Sequence, residues 1–235
     1  MKKAGSRLTL KLFRDLWSHR WQFAAVAVMV ALGVGIYIGS LMSYENLRAS
    51  YALSYRRLQF ADFWLEFSSA PREVVEEMRR WPGMRALEGR WAKEAAVDQP
   101  QKPVRRMVAR LISLPGGHPP EVNQVRVEQG RYLSRWGRGE ALMANSFAET
   151  HGYTVGDPIT LEIDGAKHRL RIVGIVKTPE YILTVRNKEY LMPVPHIFGV
   201  LFITHQEAER LFRRSGEVNE LCAITDPQRL SLIHI

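Results

Sequence analysis

The chain has one cysteine, Cys222, in 235 residues, so no internal disulfide can form and any folded part must be held by its core. With no His or Cys partner at motif spacing, a free buried thiol is the expected state of Cys222. There is no GxxxxGK[ST], which excludes nucleotide binding through a P-loop, and no GxSxG nucleophile elbow. His205-Gln206-Glu207 is not HExxH, and His118, His151, His168 and His196 are scattered without metal-ligand spacing. Glu76 and Glu77 are adjacent, and adjacent residues on a helix do not face one another. No repeat, low-complexity tract or long heptad run is present. These absences predict a chain that is not an enzyme and binds no metal or cofactor of its own.

The most informative absence is of charge. None occurs between Arg20 and Glu45, and residues 23–42 are almost wholly apolar. At about 1.5 Å per residue a helix over them is about 30 Å long, the thickness of a bilayer's hydrocarbon core. Leu41-Met42-Ser43-Tyr44 offers no small-x-small cleavage site, which argues against a signal peptide. The reading is an uncleaved membrane span over residues 21–44.

Charge at the flanks sets a direction. Lys2, Lys3, Arg7, Lys11, Arg14 and Arg20 against Asp15 precede the span, while Arg48, Arg56 and Arg57 come later and at a distance, so the N-terminus is expected in the cytoplasm. The same residues supply about half of the formal +9 charge beside the anionic inner leaflet, which weakens any nucleic-acid reading of the basic pI. Leu8, Leu12, Leu16 and Trp17 share a helical face, which predicts an interfacial helix within a cytoplasmic segment 1–20, a plain extension of the span being the alternative. Trp21, Tyr37 and Tyr44 suit the aromatic belts.

Inside the span Ala27, Ala31, Gly35 and Gly39 recur every four residues, a stripe that lets another helix backbone approach closely. Beyond it Tyr44, Leu47, Tyr51, Tyr55 and Leu58 fall at helical spacing, and no Gly or Pro interrupts through Phe60. A stalk over residues 45–60 is predicted, either coupling the span to an outer domain or packing on that domain as an amphipathic helix.

The remainder, residues 61–229, reads as an α+β domain of two lobes. Strands are expected at 63–67, 107–114, 159–163, 169–176 and 198–203, with Asp164-Gly165 as a hairpin turn. Pro71 opens a helix whose Val74, Val75, Met78 and Trp81 form one face; Asn145 caps a short helix that Gly152 ends; and 205–214 is a helix with Ala208, Leu211 and Phe212 inside. The Pro-Gly-rich loop 115–120 marks a lobe boundary.

These features in order, with Gly130-Arg131-Tyr132-Leu133, Gly139-Glu140-Ala141-Leu142-Met143, Ser146-Phe147-Ala148, Gly152-Tyr153-Thr154-Val155-Gly156-Asp157, Gly174, Pro179-Glu180-Tyr181, Phe198-Gly199 and Asn219-Glu220, resemble the MacB/FtsX-like permeases of bacterial ABC transporters. The resemblance covers nearly the whole chain. It implies a permease subunit in the bacterial cytoplasmic membrane with its main domain outside. Its implied partners are a cytoplasmic ABC ATPase dimer that uses the ATP, a second permease subunit, identical or different, and the lipid bilayer; nucleic acid is not among them. The exported cargo would be a lipid, lipoprotein, peptide or drug. The resemblance also implies a small α/β lobe in residues 61–114 with a return near 198–222, and a β-rich lobe in 122–176.

One departure stands out. Family members carry further spans after the outer domain, and no second apolar run of that length occurs here. A truncated reading frame with a non-native tail, residues 230–235, is therefore expected. The alternative is a single-pass, membrane-anchored extracytoplasmic binding or adaptor module with no transport role.

Overall fold

The computed structural model describes residues 11, 13–14, 17–98, 107–181 and 196–226. Leu8, Leu12 and Leu16 of the expected interfacial helix and the suspected tail lie outside the described residues. The chain divides into two units, Met1–Leu53 and Ser54–Ile235.

The first unit is dominated by helix α1, Arg20–Arg57, whose last turn belongs to the second unit. It is the one helix among the described residues long and apolar enough to cross a membrane, and none of its residues is buried within the protein. Large side chains such as Val28, Leu32 and Ile36 are exposed, which water would penalise and a hydrocarbon solvent would not.

The second unit is built on two sheets. The smaller is antiparallel in the order β1-β10-β2, from β1 (Phe63–Pro71), β2 (Met84–Arg90) and β10 (Glu217–Thr225). Helix α2 (Arg72–Met78) covers it, setting Val75 against Leu87, Val218, Leu221 and Ala223. Val75 and Met78 face inward as expected, whereas Val74 and Trp81 are exposed. The helix stops at Met78, so the four-residue face read from the sequence has no third turn to occupy.

The larger sheet has the order β5-β8-β6-β9-β4-β3-β7, and β7 pairs back onto β8. Its strands are β3 (Ala92–Val97), β4 (Met107–Leu114), β5 (Arg126–Gly130), β6 (Glu140–Ala144), β7 (Pro158–Ile163), β8 (Ala166–Lys177) and β9 (Phe198–Thr204). β4 runs parallel to β9 and β6 parallel to β8; the other pairings are antiparallel. Helices α3 (Asn145–His151) and α4 (His205–Phe212) pack on one face. That face holds Leu111, Met143, Leu201 and Ile203, packed with Phe147 of α3; the other holds Ile112, Leu114, Leu142, Val200 and Phe202. With both faces covered, β9 is buried at every position and reads as a continuous apolar run.

The α+β expectation, with one N-terminal apolar helix, holds, and so does the Asp164-Gly165 hairpin, both of whose turn residues have positive φ. Two expectations do not. Asn145 is the first helical residue and Ala144 the cap, with no side-chain bond to the helix; Gly152 does end it, in the left-handed region. The sheets also divide at Trp91 and not at the 115–120 loop, because β3 and β4 belong to the larger sheet through the parallel β4–β9 pairing. Strands β3, β4 and β9 and helix α4 therefore leave the lobe to which the sequence assigned them.

Candidate functional site: buried charge between the lobes and the joint at the helix end

The two lobes meet across charge. Arg90, 4% exposed at the end of β2, places Nε 2.6 Å from Glu220 on β10. Its Nη1 and Nη2 fork onto the two oxygens of Glu180, beyond β8, at 2.6 and 2.8 Å. Arg110 on β4 reaches Glu66 on β1 at 2.9 Å and Glu220 at 3.1 Å. Burial alone would lower the Arg90 pKa, but the charges of Glu180 and Glu220 hold it well above its ordinary value. Every cation here has a carboxylate, which is the condition for ionised groups to stay in a dry interface. Burial raises the neighbouring Tyr181 hydroxyl and pushes the Cys222 thiol up to about 12, so Cys222 is a neutral, inert core side chain.

Asn219 makes a second tie. Its side chain accepts from the Ala92 amide and donates to the Ala92 carbonyl, both at 2.8 Å, closing the β10 to β3 crossing with two bonds. A third is Glu88 on β2, whose carboxylate lies 3.7 Å from His205 Nε2 on α4, while His205 Nδ1 meets Ser113 Oγ on β4 at 2.9 Å. A hydroxyl, an imidazole and a carboxylate in a row suggest nucleophilic chemistry. However, Ser113 is 1% exposed and its oxygen already accepts from the Trp91 amide, so no substrate can reach it. The row is a structural tie between lobes.

The residues that carry the sequence resemblance are spread over turns and close approaches of the larger lobe as well as the ties between lobes. Arg131 forks onto Glu140 at 2.6 and 3.1 Å, and Glu140 also accepts from the Ser134 amide and hydroxyl, pinning the loop between β5 and β6. The Arg131 hydrogen bonds lower the Glu140 pKa against a smaller opposing effect of burial. Gly174 lets β8 pass so close that a Cβ would sit 2.4 Å from the Arg131 carbonyl, and a Cβ on Gly199 would meet the Phe147 ring at 2.7 Å. Asp157 accepts from the Thr154 amide and hydroxyl in the turn that includes Gly156. Phe198 lies in the core, Gly130 and Gly139 flank the Arg131–Glu140 loop, and Pro179 precedes Glu180.

In the first unit, the Arg20 guanidinium lies over the rings of Trp17 and Trp21, at 5.3 and 5.8 Å. Phe13, Trp17, Arg20 and Phe23 line a shallow apolar groove of about 290 Å³. Ala27, Ala31, Gly35 and Gly39 are exposed, and nothing lies within 4 Å of where a Cβ would stand on either glycine. Tyr44 and Leu47 are exposed along the same helix, and Tyr51 is half-buried. In the second unit Tyr55 stacks on Phe60 at 4.5 Å, and Leu58 is half-buried. Arg90, Arg110, Glu88, Ser113 and Asn123 were not legible as site residues. Each is an isolated polar residue in sequence, and only the strand order brings its partner to it.

Among the described residues no three His, Cys, Asp or Glu side chains converge as metal ligands. The geometry thus defines a class: a two-lobed α+β domain tied by buried charge and preceded in sequence by a lipid-suited helix. No protein family model and no curated protein matches the chain. Among solved structures it is similar to the extracellular domain of the ABC-type transporter YknZ from Gram-positive bacteria, with a TM-score of 0.49 and 11% identity, over 72% of this chain and 86% of that one. It is also similar to the periplasmic region of MacB from Actinobacillus actinomycetemcomitans, with a TM-score of 0.44 and 7% identity, over 69% of this chain and 67% of that one.

Proposed function

We propose that the chain is a permease subunit of a MacB/FtsX-type ABC exporter, in which ATP hydrolysis by a partner ATPase dimer moves α1 and α1 drives a two-lobed domain outside the membrane. The observation that carries this reading is that Arg131, Glu140, Gly174, Glu180, Gly199, Asn219 and Glu220, spread over ninety residues of sequence, each sit at a tight approach or a tie of that domain. The reading gives each part a task. The apolar helix sits in lipid with its basic flank on the cytoplasmic side, and the Ala27-Ala31-Gly35-Gly39 stripe seats a helix of the second subunit. Tyr44, Leu47, Tyr51, Tyr55 and Leu58 stiffen the stalk. The chain binds no nucleotide; its work is mechanical.

The test is association. The full chain in nanodiscs is combined with an ABC ATPase encoded beside it, and co-purification and ATP turnover are measured. A stable complex whose turnover depends on the chain is expected. An adjoining ATPase that neither binds nor responds, or no such gene, contradicts the reading and favours a membrane-anchored binding module.

A further inference from the structure

The last turn of α1 ends in a way the sequence does not announce. Phe60 N donates to the Tyr55 carbonyl at 2.9 Å and Gln59 N to the Arg56 carbonyl at 3.4 Å, with Gln59 at φ 49. This is a left-handed helix cap at a position glycine usually takes, and a side chain there costs about 1 kcal/mol. Surrounding bonds hold it. Gln59 Nε2 donates to the Arg56 carbonyl at 3.1 Å, and Arg85 of β2 donates to Gln59 Oε1 at 2.8 Å. From the other side, Asn123 N donates to the Gln59 carbonyl and Gln124 N to the Leu58 carbonyl, both at 2.8 Å.

Asn123 is the centre of this joint. It is 3% exposed and itself left-handed, at φ 55, a conformation Asn tolerates better than other side chains. Its Oδ1 accepts from the Ala61 amide at 2.7 Å. Ala61, Val122, Cys222 and Ile224 form a buried apolar cluster that includes its sequence neighbour and its bonding partner, and the burial of Asn123 keeps water from competing for the bond. Covalently, Ala61 leads into β1 of the smaller lobe. Val125, two residues past Asn123, packs in the larger lobe's core, and β5 begins at the next residue.

We propose that Asn123 is a positioning residue that carries displacement of the stalk end into the larger lobe, alongside the covalent path into the smaller one. This rests on the coupling reading above. Through Ala61 the helix end reaches the larger lobe only by way of β1 and the ties between the lobes; the bonds to residues 123–124 add a direct path to β5.

Hydrogen exchange on the full chain in nanodiscs with its ATPase, with and without nucleotide, tests this. In the wild type, nucleotide should change protection at residues 58–61, in β1 and in β5 and β8. Asn123→Gly keeps the left-handed backbone and the main-chain bonds of residues 123–124 and removes the side chain with its bond to the Ala61 amide; it should retain the response at 58–61 and β1 and reduce it at β5 and β8. Asn123→Asp, which restores the acceptor, should restore the response, an outcome that a merely weakened fold would not give. Arg85→Ala, a change on an exposed side chain, should spare β5 and β8. A full β5 and β8 response in Asn123→Gly would overturn the inference, as would its loss in Arg85→Ala. No nucleotide response anywhere in the wild type would overturn the coupling reading itself, and this inference with it.

Discussion

Removing the Arg90 guanidinium leaves Glu180 and Glu220 facing a site from which water is excluded. Arg90→Met should destabilise the outer domain by about 3 to 5 kcal/mol, the cost of an uncompensated buried charge, read as a lowered urea midpoint of tryptophan fluorescence. Replacing Arg90, Glu180 and Glu220 together with apolar residues of like volume should cost less than the single change. Glu140 gives a pH dependence. Its folded pKa is lowered by Arg131, so its contribution is present above the unfolded value of about 4.3 and is lost as pH falls through the folded value. Glu128, held by Lys177 and Arg126, acts in the same direction. Because Arg131 is 55% exposed, the Glu140 share is about 1 kcal/mol. Unfolding measured from pH 6 to pH 3 should show a shallower acid loss in Glu140→Gln than in the wild type. Gly130, Arg131, Glu140 and Glu220 could be singled out in the sequence by resemblance, whereas Arg90, Arg110 and Asn123 could not, because a buried ion pair leaves no mark on local periodicity.

At the scale of elements, what could be read was local. The charge gap delimits the apolar part of α1, and Asp164-Gly165 marks a hairpin whose strands then pair from Pro158↔Arg171 to Ile163↔Ala166. The end of α1 was less visible. The predicted helix ran to Phe60, and the structure stops it at Arg57 with Gln59 in place of the glycine that would have signalled a cap. Helix α2 was given too broad an inner face, since a seven-residue helix buries one turn and leaves Val74 and Trp81 outside. The stripe on α1 yields its own prediction. Gly35→Leu adds bulk where close approach is needed and should weaken self-association of the full chain in bilayers, measured by energy transfer between labelled copies. Unchanged transfer would show the stripe to be compositional.

For the whole molecule, the two-lobed plan was legible and its dividing line was not. The parallel pairing of β4 with β9 joins residues some ninety positions apart, and no pattern within either strand names its partner. That pairing moves β3 and β4 into the larger sheet and leaves the smaller lobe as three strands and one short helix, tied across by Arg90, Asn219 and Glu88. In the proposed coupling, force enters this domain at the end of α1. The most direct test inserts Gly-Gly after Ser54 in the full chain, assembled with its ATPase, and monitors nucleotide-driven changes in hydrogen exchange across the outer domain. A stiff lever predicts that the insertion abolishes the response in β1, β5 and β8 while ATP turnover persists. An undiminished response in the inserted chain would contradict mechanical coupling through α1.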